Sequence, residues 1–327
     1  PVFQPQCQLL SQFEFPNDLF MKAFESFMLR PVMQTRIFAG LFLLLGLIPA
    51  CREIGPAVDL GTNLLEMDTT YLAAPDVKPP LNILIEEFTG VKCVNCPRAH
   101  DLISNLQAAH PGRVLAAGIH TGFYASPYTG RYDFRISEGP ALEQLLGGTL
   151  GYPAGAVNRT RFPGENLMLI SDQKWSGHVN DLMDDSAVVR IDMPQSLYNA
   201  SADRMEGRLT VQWCAELSQN PNSNPVFLSL YLLQNNLIDW QLNTGGVDSQ
   251  YVHRHVVRRL ITPVNGFPLQ AQDYRAGRIV EIAFKSVLGD IHPMPVWSDC
   301  KWMAVIHQNR NNDLTVLQAA QFPFTRP

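Results

Sequence analysis

An apolar run, LNILIEEF (residues 81–88), leads within five residues into a CxxC pair, which opens a helix-like stretch. The run is bounded by Pro80 and Gly90, as expected of a buried strand. In CPRAHDLISNLQAAH, residues Ala99, Leu102, Ile103, Leu106 and Ala109 recur at helical spacing. This arrangement places Cys93 at the N-terminus of a helix, where unpaired backbone N–H groups and the helix dipole favour a thiolate. Cys96, one turn inside, is positioned to resolve a mixed disulfide. Pro97 fits the first turn, where its missing N–H has no partner to lose.

Three other readings of the pair compete, and the first is discarded. A c-type haem site needs His directly after the second Cys, and Pro97 stands there. Zinc needs two more ligands; His100 and His110 are nearby, but there is no second CxxC. A purely structural disulfide is the third possibility in an exported chain.

Residues 80–185 alternate strand and helix. RVLAAGIH and GYPAGAVNR read as further strands, SEGPALEQLLGG as a helix closed by glycines, and SDQKWSGHVNDLMDD as a helix capped by Ser171 or Asp172. The pattern predicts an α/β layer with a largely parallel sheet. After Asp185 the text changes to short segments rich in Val, Ile, Leu and aromatics, separated by turn signals such as NPNSNP and NTGG. Residues 186–327 therefore read as an antiparallel β-sandwich of about six to eight strands. The expected fold is α/β followed by all-β.

The N-terminal portion has its own pattern. MQTRIFAGLFLLLGLIPAC, residues 33–51, has a basic Arg36 and an apolar stretch too short to span a bilayer comfortably. LIPAC resembles a lipobox, with Cys51 lipidated as the new N-terminus. The alternative is a short, uncleaved anchor. Met33 is then the expected start, residues 1–32 a non-native extension, and residues 52–79 a tether. An acylated Cys51 holds a protein to a membrane without crossing it. Export implies an oxidising compartment. Of the six cysteines, Cys7 precedes the signal and Cys51 carries lipid, leaving a close pair and the distant Cys214 and Cys300. Those two either staple the sandwich, contributing roughly 4 kcal/mol, or sit as separate buried thiols.

Apolar residues make up 46% of the chain and charged residues 17%, sufficient for packed cores. The formal charge of −5, without a basic run, argues against nucleic acid as a partner. Nothing in the pattern calls for a cofactor.

The segments ILIEEFTGVKCVNCP, YPAGAVNR (152–159) and YVHRHVVR (251–258) together resemble the outer membrane protein 28 family of Bacteroidetes lipoproteins, and the first resembles the active-site strand and turn of the thioredoxin superfamily. The resemblance covers residue 80 onward. It implies a thioredoxin-like domain with a C-terminal β-sandwich, located in the cell envelope on the outer membrane. It also implies that Glu87, six residues before Cys93, is a buried carboxylate beneath Cys96. On a strand, Glu87 shares a face with Ile83 and Ile85 while Glu86 points the other way. The alternative is a surface carboxylate at a strand end. Pro153 resembles the cis-proline that faces the dithiol, leaving the Tyr152 backbone to pair with an extended peptide; an ordinary trans proline is the other reading. Lys92 stands where thioredoxins usually carry Trp, and its ammonium favours the Cys93 thiolate.

The loop TGFYASPYTGRYDFR (121–135) is either a substrate lip or self-packed. His253 and His255 share a face if their segment is a strand, either as a metal pair or as hydrogen-bonded contacts between the two halves. The leading expectation is thiol–disulfide exchange on exported proteins, with an accessible Cys93 attacking and Cys96 resolving. The alternative is a non-catalytic envelope lipoprotein that uses the first domain as a scaffold.

Overall fold

The computed structural model describes residues 64–199, 203–218, 225–287, 289, 291–308 and 314–324. Cys7, the signal stretch and the lipobox Cys51 lie outside the described residues. Part of the expected tether is a strand, β1 (Leu64–Leu72), which pairs antiparallel with β13 (Arg278–Val287).

Strand β2 (Ile83–Thr89) is buried along its whole length. Helix α1 (Cys96–Ala109) follows, with Pro97 in its first turn and Cys96, Ala99, Ile103 and Leu106 buried. Strand β3 (Val114–His120) runs parallel to β2, from Ile83 opposite Val114 to Thr89 opposite His120. The chain then forms α2 (Gly139–Leu145), β4 (Ala154–Val157), β5 (Ile170–Ser171) and α3 (Trp175–Leu182). The Ser171 side chain accepts from the Gln173 amide in the turn that leads into α3.

The expected largely parallel sheet is instead mixed, because β4 is antiparallel to β2, with Ala154 opposite Phe88 and Val157 opposite Ile85. The connection through α2 leaves and re-enters at the same end of the sheet, so β4 starts beside Phe88, at the end where β3 left. Gly155 brings β4 close to α3; a Cβ there would meet the Trp175 ring at 2.6 Å.

The second half supplies β6 (Val189–Asn199), β7 (Arg204–Trp213), β8 (Val226–Gln234), β9 (Leu237–Asn243), β10 (Gly246–His253), β11 (Val256–Leu260), β12 (Phe267–Leu269), β13, β14 (Cys300–His307) and β15 (Val316–Pro323). Four strands make an antiparallel sheet in the order β1-β13-β7-β6. The others join the first half in a nine-stranded sheet, ordered β15-β14-β8-β11-β3-β2-β4-β5 with β12 on β8; β9 and β10 form a separate hairpin. The molecule is thus predominantly β, and one sheet runs through both halves.

Strands β8 and β14 are buried on both faces, which accounts for unbroken apolar runs such as VFLSLYLLQ. Leu228, Leu230, Leu232, Trp302, Ala304 and Ile306 pack against Leu209, Val211, Trp213, Ile282 and Phe284 of the four-stranded sheet. The alternate residues Tyr231, Leu233, Met303 and Val305 share a second core with Leu84, Phe88, Leu115 and Ala117. The sheet curls enough for β15 to return to its start: Asn82 Nδ2 donates to Ala319 O at 2.8 Å, and Val316 N to Asn158 O at 3.0 Å.

Inside this curl lies a buried ion pair. Arg159 Nε and Nη2 donate to the two Glu86 carboxylate oxygens at 2.7 and 2.8 Å, and both side chains are wholly buried. Tyr231 completes the cluster: its hydroxyl accepts from Arg159 Nη2 at 2.7 Å and donates to Glu86 Oε1 at 2.8 Å. Next to it, Asn158 Oδ1 accepts from Leu84 N at 2.6 Å. The NR of the YPAGAVNR segment therefore ties β4 to β2 and β8.

Candidate functional site

Beyond β2 the chain turns tightly, with Cys93 N donating to Gly90 O at 3.0 Å and Cys96 N to Cys93 O at 3.3 Å. Cys93 and Cys96 are joined in a disulfide with Cα atoms 5.4 Å apart, at the N-terminus of α1. Cys96 is fully buried, and Cys93 is only 3% exposed. The expected accessibility of Cys93 is therefore corrected. Two covers explain the burial. From the loop after β3, Tyr124 O accepts from Lys92 N at 2.8 Å, and Gly90 lies so close that a Cβ would meet the Tyr124 backbone at 2.4 Å. From the β9–β10 hairpin, Leu242 N donates to Val91 O at 2.8 Å, and Gln241 Nε2 lies within 3.2 Å of Gly90 O and 3.1 Å of Cys93 O. Val94, between the cysteines, remains 40% exposed.

The Lys92 ammonium lies 5.1 Å from the centre of the Tyr128 ring, a cation–π contact within the covering loop. The loop's aromatics divide: Phe123, Tyr124 and Tyr132 are exposed, while Phe134 is buried against His120 and His253.

Strand alternation separates the two glutamates. Glu86 enters the curled interior described above. Glu87 is buried on the α1 side, where Ile83 and Ile85 pack against Ala99 and Ile103. Its Oε1 lies 3.2 Å from His100 Nε2. His100 follows Cys96 by four residues, so the two occupy one helix face. Thr89 Oγ1 is 3.1 Å from the same nitrogen, and the Tyr251 hydroxyl is 2.6 Å from His100 Nδ1. Burial, followed by the charge of Glu87, holds the Tyr251 phenol above its usual range. A small cavity of about 20 Å³ adjoins Glu87, His100, Ser104 and His255.

The Tyr152–Pro153 peptide bond is cis. Since Ala154 pairs with Phe88, Pro153 sits at the CxxC end of β2. The Tyr152 hydroxyl donates to Glu143 Oε2 at 2.7 Å, and its ring meets Tyr124 at 6.0 Å. Leu150, Tyr152, Pro153, Leu167 and Leu169 line a groove of about 390 Å³.

His253 and His255 do not share a strand face, contrary to expectation. β10 ends at His253, His255 adopts φ 55°, and β11 begins at Val256. His255 Nε2 contacts Gln107 Oε1 at 3.1 Å, and its carbonyl accepts from Gly118 N at 2.7 Å, tying β11 to β3. His253 packs beside His120. Burial lowers the pKa values of His253 and His255 to about 4, and that of His120 well below the usual imidazole range. Among the described residues, no group of three or more His, Cys, Asp or Glu is placed to hold a metal ion.

Cys214 and Cys300 are free, buried thiols, which overturns their pairing. Cys214 follows β7 of the four-stranded sheet, whereas Cys300 begins β14 of the nine-stranded one and packs in the core. Burial pushes the Cys300 thiol up to about 12. Trp213 and Trp302 are core, and Trp297 stacks on Phe324.

The sequence reading missed His100 as a partner of Glu87, Tyr251 as the partner of His100, and Gln241 as a cover of the turn. The signal for His100 was its i+4 spacing from Cys96. Tyr251 opens the YVHRHVVR segment but nothing there pointed to His100, and nothing local marked Gln241; both reach the site through the hairpin.

No family model matches the chain, and no curated protein matches it. Two solved structures resemble it. HBP35 of Porphyromonas gingivalis aligns with a TM-score of 0.58 at 21% identity, covering 76% of this chain and 77% of that one. A protein of Agrobacterium tumefaciens aligns with a TM-score of 0.47 at 12% identity, covering 76% of this chain and 97% of that one. The likeness to HBP35 is one of fold.

Proposed function

We propose that the chain is an exported, thioredoxin-like thiol–disulfide exchange protein. Cys93 and Cys96 form its redox couple, and its clients are envelope proteins with thiols or disulfides. The observation that carries this reading is the Cys93–Cys96 disulfide at the N-terminus of α1, directly beyond a buried strand. A helix start stabilises the thiolate released when the bond opens. Glu87, buried on the α1 side of β2, supports the reading as a proton acceptor and donor. Pro153 and the neighbouring groove support a place for an extended client segment. In this reading the chain belongs with the outer membrane protein 28 lipoproteins and is held to the outer membrane through a lipidated Cys51. The fold shared with a Porphyromonas gingivalis protein is in keeping with that placement.

A specific observation favours a second reading. Cys93 is buried beneath a loop and a hairpin, as suits a scaffold whose disulfide is inert and whose other surfaces do the binding. A redox titration separates the two. The full chain in detergent is equilibrated with dithiothreitol or glutathione couples, and free thiols are assigned by peptide mass. A reversible Cys93–Cys96 couple between roughly −120 and −270 mV supports exchange. Reduction only below about −300 mV refutes it in favour of the scaffold.

A further inference from the structure

We propose that His100, backed by Tyr251 from the second half of the chain, carries the proton between buried Glu87 and solvent each time the Cys93–Cys96 bond opens or closes. The proposal rests on the exchange reading and adds to it a positioning residue that acts through Glu87.

Opening the bond requires a proton in a closed place. The thiolate of an external dithiol attacks Cys93 Sγ, the Cys93–Cys96 bond breaks, and the electron pair leaves on Cys96. Cys96 takes one proton from Glu87. Glu87 recovers it from His100 Nε2, and His100 takes one at Nδ1 from solvent by way of the Tyr251 hydroxyl. The reductant's second thiolate then attacks its own sulfur in the mixed disulfide, releasing Cys93 as a thiolate and leaving the reductant oxidised. Closing the bond runs the same proton outward.

The geometry points to His100 on three counts. First, the Glu87 side chain is 3% exposed and cannot trade protons with bulk water directly, whereas the His100 side chain is 20% exposed and touches it at 3.2 Å. Second, His100 alone among the nearby described imidazoles has an ionisable group beside each ring nitrogen: the Glu87 carboxylate lies 3.2 Å from Nε2, which also meets Thr89 Oγ1 at 3.1 Å, and the Tyr251 hydroxyl lies 2.6 Å from Nδ1. His255 is bonded to the Gln107 amide, which does not titrate. His120 and His253 are buried, and among the described residues neither has a carboxylate or phenol hydrogen-bonded to a ring nitrogen. Third, the cavity of about 20 Å³ beside Glu87 and His100 has room for one water molecule, enough to bridge small changes in their separation.

The test follows the reduction rate of the full chain in detergent by dithiothreitol, per reductant thiolate. His100→Ala is expected to slow the reaction about a hundredfold, the lower end of what positioned proton transfer contributes. Free imidazole is expected to restore the rate, and Tyr251→Phe to give a smaller loss with the fold intact. The equilibrium potential should be unchanged in both. An unaltered rate in both variants overturns the relay, as does a loss in His100→Ala that imidazole cannot repair. A wild-type bond that no dithiol reduces would overturn the exchange reading itself, and is seen before any variant is made.

Discussion

Replacing Arg159 with Met tests whether the buried ion pair locks the two halves together. Arg159, Glu86 and Tyr231 are wholly buried, and four hydrogen bonds of 2.7–2.8 Å link them. Methionine fills much of the space but removes three of those bonds, leaving the Glu86 carboxylate with only the Tyr231 hydroxyl. A buried charge stripped of its partner costs about 3–5 kcal/mol, a large share of the roughly 5–15 kcal/mol that holds a domain folded. The double variant Glu86→Leu/Arg159→Met removes both charges, so it should recover about 2 kcal/mol or more of that loss. Urea unfolding of the oxidised protein at pH 7, followed by circular dichroism, measures all three. A single variant within about 1 kcal/mol of wild type, or a double variant that loses the sum of its two single changes, would refute the reasoning.

Gly90→Ala drives a Cβ into the Tyr124 backbone, so the covering loop must lift; iodoacetamide should then alkylate reduced Cys93 faster than in wild type, and an equal rate would show that the loop is not the cover. Cys300, whose thiol burial holds near 12, should resist alkylation at pH 8 until the chain is unfolded, read by peptide mass. His253 and His255 titrate near 4 in the fold against about 6.5 unfolded, so the unfolded chain binds more protons between those values. The stability of their neutral forms is present above about pH 6.5 and is lost as pH falls toward 4; the urea midpoint should drop over that window, less steeply in His253→Gln, and a flat midpoint refutes it.

Features set by local periodicity were readable from the sequence. The two-residue alternation of β2 sends Glu86 and Glu87 to opposite faces, and the 3.6-residue spacing of α1 marks its buried stripe. The doubly buried strands β8 and β14 were also visible as apolar runs, but nothing in an apolar run says which sheet it joins. That is why the continuation of the first sheet into the second half was hidden. The direction of β4 depends on where the connection through α2 re-enters the sheet. The break between His253 and His255 depends on one positive φ. The burial of Cys93 depends on a hairpin about 150 residues away, through contacts such as Gln241 with Cys93. Each is set by the path of the chain rather than by the residues that carry the chemistry.

The shared sheet also bears on how the chain can be divided. β11 hydrogen-bonds the outer side of β3 and links it to β8. A fragment ending near residue 185 would retain the disulfide and α1 but leave β3, a largely apolar strand whose seven residues are all buried, as a bare edge. Such an edge is a template for pairing with other chains, so the fragment is expected to aggregate. The portion bearing the cysteines is thus not portable, and its insertion into other proteins would have to bring β8 and β11 with it.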